Sequence, residues 1–210
     1  QSLFRFANMK TIVAVIFFGI LTFTLAQYEK IPNCNPPEAM KNLDTESFLK
    51  GKWYVTNAQQ GSNSTVCREY RTKTNKEGKE VLVGDGYYTF QGQKLYFKVR
   101  CKKQSQTELS YTCKQTMPGN SAVNNEFRLE LTILHTDYTK AAVMYRCVQF
   151  PPELGSHFED NILVLHRDPS ITNDNDNAVR NALKSQGLQL NSLKSREGVE
   201  CPEPPPKIKQ

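Results

Sequence analysis

The stretch "LKGKWYVTN", residues 49–57, holds Trp53, the one tryptophan in a chain that carries 11 phenylalanines and 9 tyrosines. Gly51 stands two residues before it and Tyr54 directly after it. The run from Lys52 mixes aromatic and β-branched residues behind a glycine, which reads as a strand. A large ring used once, at the start of the first strand, marks a position with a single structural job.

Strand-like runs follow it at intervals of roughly 10–14 residues. They are "KWYVTN" (52–57), "TVCREYRT" (65–72), "EVLVGDGYYTF" (80–90), "KLYFKVRC" (94–101), "ELSYTCKQT" (108–116), "EFRLELTIL" (126–134), "KAAVMYRCVQF" (140–150) and "DNILVLHR" (160–167). The polar stretches "NKEGKE", "QGQ", "KKQSQ", "MPGNSAVNN" and "HTDYTK" separate them as turns. Phe127, Leu129, Leu131 and Ile133 alternate with polar residues, so one face of that strand is apolar. Eight short antiparallel strands define an all-β chain, a sandwich or an up-and-down barrel. One helix follows the last strand. In "TNDNDNAVRNALKSQG" (172–187), Ala178, Val179, Ala182 and Leu183 form a narrow apolar stripe at helical spacing, with Asn and Asp at its start and Gly187 at its stop.

Upstream of these elements, Met9–Lys10 precedes an apolar run from Ile12 to Leu21, and "TFTLA" ends it at Ala26. A positive start, a short apolar run and a small final residue are the layout of a secretory signal peptide. A membrane span needs roughly 20 apolar residues, and this run stops short of that. Residues 1–26 are therefore read as leader and signal, residues 27–201 as one domain, and 202–210, "PEPPPKIKQ", as a Pro-rich flexible tail. Without 1–26 the chain has 25 basic and 21 acidic residues, a net charge of +4. That is mild basicity without the clustering of a nucleic-acid binder, so no nucleic-acid partner is expected. All six cysteines (34, 67, 101, 113, 147 and 201) lie after the signal. An even count in a secreted chain implies three disulfides, and the lack of any C-x-x-C pair speaks against a metal site. Asn63-Ser64-Thr65 is a glycosylation sequon in a Gly/Ser/Asn-rich loop, which makes Asn63 a candidate acceptor.

Eight strands and a helix, with three short motifs in order, resemble the lipocalins. Gly51–Tyr54 matches the Gly-x-Trp motif of their first strand. Thr136, Asp137 and Tyr138 match the second motif, in the turn between the sixth and seventh strands. Arg167, after "LVLH", matches the basic residue ending the last strand. The resemblance covers about residues 34–201 and implies an eight-stranded antiparallel up-and-down barrel with a C-terminal helix. It further implies that Trp53 seals one end with Arg167 packed over its ring. "CREYRT", "YFKVRC", "YTCKQT" and "MYRC…DNILVLHRDPS" narrow it to the triabin-like salivary lipocalins of blood-feeding bugs. Carried onto this sequence, the family pairing is Cys34–Cys147, Cys67–Cys201 and Cys101–Cys113.

No catalytic chemistry is expected. His135, His157 and His166 sit in no nucleophile or metal motif and read as surface or rim polar groups. The strand in which haem-carrying relatives place a ligand His is here "VLVGDGYYTF", which has tyrosines and no His, so no cofactor is expected. The resemblance implies a secreted, monomeric protein that counteracts host haemostasis, in one of two ways. In the first, the barrel sequesters a small anionic, eicosanoid-like agonist of platelet aggregation. In the second, surface loops bind a host coagulation protease, contact-phase factor or platelet protein. The loops in question are "QQGSNST", "NKEGKE", "KKQSQ" and "PPELGSHFED" (151–160). For the first, strand alternation identifies a lining. If Cys67 and Cys147 point outward to terminal segments, then Val66, Arg68 and Tyr70, and Met144, Arg146 and Val148, point inward. Two inward arginines would suit an anionic guest.

Overall fold

The computed structural model of the protein describes residues 28–90, 93–105 and 108–206. The expected leader and signal lie outside the described residues. Strands β1 (Lys52–Ala58), β2 (Glu69–Thr74), β3 (Glu80–Val83), β4 (Gly86–Phe90), β5 (Gln93–Lys103), β6 (Ser110–Met117), β7 (Asn120–Thr136), β8 (Ala141–Gln149) and β9 (Phe158–His166) form one antiparallel meander. β9 pairs back onto β1, Tyr54 opposite His166 and Ala58 opposite Leu163, and this closes the barrel. A two-residue β10 (Lys194–Ser195) adds to β1 near its end.

The run 80–90, expected as one strand, is two. Gly84 and Asp85 interrupt it, and the Asp85 carboxylate accepts the Val99 N–H that a strand carbonyl would otherwise take. Arg100 pairs with that carboxylate. β3 and β4 keep one register against β5, Val83 opposite Arg100 and Gly86 opposite Phe97, so together they fill one place in an eight-stranded barrel. "MPGNSAVNN" is not a loop: the turn is confined to Pro118–Gly119, and β7 begins at Asn120. Asn120–Asn125 lacks large apolar residues, which hid the strand, but backbone pairing to β6 holds it.

Two interiors result from strand alternation. Leu129, Leu131, Ile133, Ala142, Met144, Val148, Leu163 and Leu165 face into the barrel with Trp53, Val55 and the Cys101–Cys113 pair. Ala141, Val143, Tyr145, Cys147, Ile162 and Val164 face out, beneath the C-terminal helix α3 (Asn177–Lys184). Val179 and Leu183 are the stripe residues it buries, Asp176 caps its start, and Gly187 leaves it at φ +71°. Two short helices were not foreseen: α1 (Thr45–Leu49), capped by Asp44, and α2 (Asn63–Val66), opened by Ser62. Each is too short for a periodic stripe to be seen in sequence.

The sealed end is built on Trp53. Its ring is 2% exposed and stacks on Phe48 of α1 with centroids 5.5 Å apart; its Nε1–H donates to the Phe48 carbonyl at 2.7 Å. The Arg167 guanidinium lies 3.5 Å from the ring centroid. It donates to the carbonyls of Lys52 at 3.0 Å and Tyr138 at 3.0 and 3.2 Å, tying β1, β9 and the β7–β8 turn together. Gly51 sits at φ +76°, where a Cβ would stand 3.4 Å from the Arg167 Nη1. In the turn, Tyr138 adopts φ +65° because Asp137 Oδ1 accepts the N–H groups of Thr139, Lys140 and Ala141. Burial opposes the Asp137 charge, but these donors win and hold its carboxyl below the ordinary range. Thr136 Oγ1 accepts from Tyr138 N and donates to the Ala141 carbonyl.

Removing the Arg167 guanidinium leaves several carbonyls unmatched at a half-buried site. Arg167→Ala is expected to cost about 3 kcal/mol, the sum of charged hydrogen bonds and a cation–π contact. Arg167→Lys should recover less than half of that, because an ammonium cannot fork between strands. Urea unfolding followed by Trp53 fluorescence measures both; equal stability of Lys and Arg at this position would contradict the forked role.

Candidate functional site

The turns β1–β2, β4–β5, β6–β7 and β8–β9 gather at the end opposite Trp53. Below that mouth lies a layer of unusual composition. Arg68, just before β2, and Arg146, on β8, both point inward and are each 8% exposed. With Tyr70, Tyr88, Leu82, Val99, Phe127 and Leu129 they surround a cavity of about 30 Å³. Tyr70 also bounds a second, apolar void of about 10 Å³, which Trp53, Phe48, Leu131, Met144 and Leu165 floor.

No carboxylate reaches either guanidinium among the described residues, and the Nε of each lacks a hydrogen-bond partner. Nearby acids are committed elsewhere. Glu69 holds Arg71 and Lys52, Asp160 accepts from the Tyr145 hydroxyl, and Glu130 lies opposite outward-facing Cys147. Aromatic rings take the place of counter-ions. Arg68 stands 4.3 Å from the Tyr88 centroid, and Arg146 stands 5.5 Å from that of Tyr28. Tyr28 covers the layer from above, its hydroxyl 2.7 Å from Thr65 Oγ1 on α2. Burial pushes the Tyr28 hydroxyl up, but Arg68, Arg146 and the Thr65 hydrogen bond outweigh it and leave its pKa below the ordinary value. Burial likewise works against the charge of Arg68, yet the hydroxyls of Tyr28, Tyr88 and Tyr70 raise its pKa. Tyr70 itself is pushed up by burial, against both arginines.

Of the six expected lining residues, Arg68, Tyr70 and Arg146 meet at this cavity. Met144 lines the lower void, while Val148 packs in the inner core without touching either cavity. Val66 also packs in the inner core without lining either cavity, but it ends α2 rather than lying on a strand, and its carbonyl accepts from Arg196. Cys67 caps that helix, so its direction does not set the parity of β2. Tyr28 and Tyr88 were missed. Tyr88 belongs to the interrupted strand, and Tyr28 precedes every regular element, so no periodicity marks it. The disulfides join Cys34–Cys147, Cys67–Cys201 and Cys101–Cys113, and no cysteine is free.

His166 corrects the surface reading of the histidines. It is buried between Thr56 Oγ1 and Asp174 Oδ2, each 2.7 Å from a ring nitrogen, and serves to hold β9 to β1 and the segment before α3. His157 stacks on Phe150 at 4.7 Å in the β8–β9 loop and meets Glu159 at 3.2 Å. That loop is ordered by Pro151 and Pro152, a single 3₁₀ turn over Pro152–Leu154, and Gly155 at φ +99°. It presents Leu154, 37% exposed; Ile171, 42% exposed near the sealed end, is the other large apolar side chain this open to water among the described residues. Nowhere among the described residues do three acidic, Cys or His groups gather as they would around a metal, and no described helix is long and apolar enough to cross a membrane.

A closed eight-stranded antiparallel barrel, sealed by a tryptophan under an arginine and followed by one helix, is a lipocalin, a binding protein and not an enzyme. The family model described as Triabin matches residues 26–178, and the chain belongs to the triabin family. Triafestin-1 of Triatoma infestans is 55% identical over 208 residues, covering 96% of this chain and 98% of its own. "Platelet inhibitor triplatin-2" of the same bug is 29% identical, covering 92% of this chain and all of its own. Among solved structures, the complex of LTBP1 with leukotriene C4 superposes with a TM-score of 0.56 at 21% identity, over 84% of this chain and 99% of that one, a likeness of fold.

The arginine layer carries a stability signature. Because neither guanidinium has a carboxylate, Arg146→Met removes a buried charge without stranding a partner. It is expected to leave stability unchanged or raise it by about 1–2 kcal/mol in low-salt buffer. A loss of similar size in urea unfolding would show instead that Arg146 is a structural residue.

Proposed function

We propose that this protein is a secreted antihaemostatic lipocalin that inhibits a host coagulation or contact-phase protein through the outer surface of its open end. One observation carries this reading: the barrel is filled. Cavities of about 30 and 10 Å³ admit one or two waters. Drug-sized ligands occupy roughly 300–1,000 Å³. The mouth, by contrast, offers a rigid loop with an exposed leucine. Leu154 stands on a turn that two prolines, a left-handed glycine and the Phe150–His157 stack hold in one shape. A preordered apolar anchor is what an interface hot spot requires, since little conformational entropy is left to lose on binding. Three disulfides fit an extracellular location. Asn63 is exposed at the start of α2, so a glycan there would stand beside the mouth.

A second reading has its own observation. Arg68 and Arg146, whose Nε atoms lack acceptors, favour an acidic mediator of platelet aggregation, whose carboxylate they would take once Tyr28 moved aside. As the interior stands, it also requires side chains of the barrel to rearrange along the whole length of such a lipid, which is why the surface reading ranks first.

The readings separate in one experiment. The protein is assayed on surface-triggered clotting, and on platelets triggered by collagen, arachidonate, ADP or thrombin. Prolonged clotting or loss of the thrombin response, with an intact arachidonate response, is the expected result. Selective loss of the arachidonate response would overturn it in favour of lipid capture. Leu154→Asp, or a neutral loop grafted over 151–160, should lower potency at least tenfold, and Ile171→Asp should not. Unchanged potency of both loop variants would reject this surface.

A further inference from the structure

We propose that the Arg68–Arg146 layer is a site for one compact anion, a halide or a carboxylate as small as formate, held inside the barrel beneath Tyr28. The geometry of the cluster makes an unoccupied site costly. Two guanidiniums, each more than nine-tenths buried, share one layer with no carboxylate in reach among the described residues. Taking such a cation out of water costs more than a single cation–π contact returns. The rings of Tyr88 and Tyr28, at centroid distances of 4.3 and 5.5 Å, and the hydroxyls around Arg68 offset part of that cost but bring no anion to the pair. Both Nε atoms are buried and lack an acceptor. Between the arginines lies the 30 Å³ cavity, whose other walls are Leu82, Gly84, Val99, Cys101, Phe127 and Leu129, the rings of Tyr70 and Tyr88, and Glu69, whose carboxylate is taken by Lys52 and Arg71. A water there has lone pairs to offer the guanidiniums but no charge; a monovalent anion supplies both.

Size and cover set the selectivity. The volume suits a single ion of one to three heavy atoms. Tyr28, hydrogen-bonded to Thr65, lies against Arg146, and the volume left excludes phosphate-sized and longer anions while that arrangement holds. The site is internal and does not depend on Leu154 or on the surface reading. It would bind chloride equally well if the β8–β9 loop proved inert.

The test uses the disulfide-bonded protein in sodium gluconate, a bulky anion, which is replaced stepwise by chloride, bromide or formate at constant ionic strength. The midpoint of thermal unfolding, read by Trp53 fluorescence, should rise along a saturating curve, by about 5 °C at a hundred times the dissociation constant. Decanoate should give no rise if Tyr28 stays in place; a rise with decanoate and none with chloride would hand the site to lipid capture. Arg68→Gln and Arg146→Met should each abolish the saturating rise, and Lys102→Gln, an exposed control, should keep it. Bromide-soaked crystals should show one anomalous peak between the two guanidiniums. The proposal is overturned by a linear shift that is equal for all anions and survives both variants, or by an empty cavity in the bromide map. The map decides even if one arginine variant fails to fold.

Discussion

The closed barrel depends on one contact, the Arg167 guanidinium laid over Trp53. A meander of antiparallel strands has two free edges, and the β1–β9 pairing removes them. That pairing is bulged between Val55 and Asn57 and spans few residues, so the seam needs support beyond its own ladder. Arg167 supplies it with one planar group. Its face covers the ring from β1, and its edges reach carbonyls of β1 and of the β7–β8 turn. The Phe48 carbonyl that accepts the indole N–H also brings α1 under the ring as a floor. Every other feature of the sealed end serves this contact. Gly51 has no side chain to push the guanidinium away, and Asp137 bends its turn so that the Tyr138 carbonyl faces the arginine. The indole and guanidinium must match in shape and charge at once, which explains why the chain spends its single Trp here.

The two ends treat their arginines in opposite ways. At the sealed end burial works against the charge, but carbonyls of Lys52 and Tyr138 match the guanidinium's donors. At the open end two guanidiniums are buried against rings and hydroxyls, with Nε atoms left over. Folding alone gives no reason to keep such a pair, since apolar side chains of similar volume would fill the layer at lower cost. Sites that carry an energetic burden are the ones to inspect for ligands. The tyrosines around the pair share its field: the hydroxyl of Tyr28 is drawn towards ionisation, while that of Tyr70, deeper in the barrel, is not. Tyr28 thus offers the pair its ring and a hydroxyl, but no full charge, at the upper side of the layer.

Legibility followed physical periodicity. The barrel could be read because its signals repeat: alternation in "FRLELTIL", motifs at three separated points, and a helical stripe at Ala178 to Leu183, of which Val179 and Leu183 proved to be the buried members. The inward direction of Arg146 followed from outward Cys147 by parity, since β8 is unbroken around it. Arg68 was expected inward by the same argument, but for an unsound reason, because Cys67 caps a helix and no strand parity runs through it. The filling of the barrel was not legible at all. Whether Leu82, Val99, Phe127 and Tyr88 leave a cup or close it depends on strand tilt and rotamers, and one-dimensional spacing contains neither. Tyr28 illustrates the same limit, since its partner Thr65 is distant in sequence and joined to it only by the closure of the mouth.

Placement of the disulfides bears on what such an open end can recognise. Cys34–Cys147 ties the N-terminal segment to the upper part of β8, and Cys67–Cys201 ties the C-terminal segment to the turn after β1. Ile31 bridges Phe158 at the start of β9, directly below the Leu154 loop. Both termini are therefore fastened around the mouth, not at the sealed end, which already has Arg167. A barrel that served as a cup would gain from a mouth that opens, and these cross-links resist opening. A surface that must meet a folded partner gains from the opposite, because each loop held in its bound shape before contact removes an ordering cost from association. Tyr28 is held over the arginine layer by its own contacts, with Thr65 and Arg146. A stapled mouth, a filled barrel and a charged layer too tight for a lipid fit the two proposals together: recognition at the rim, and room inside for an ion alone.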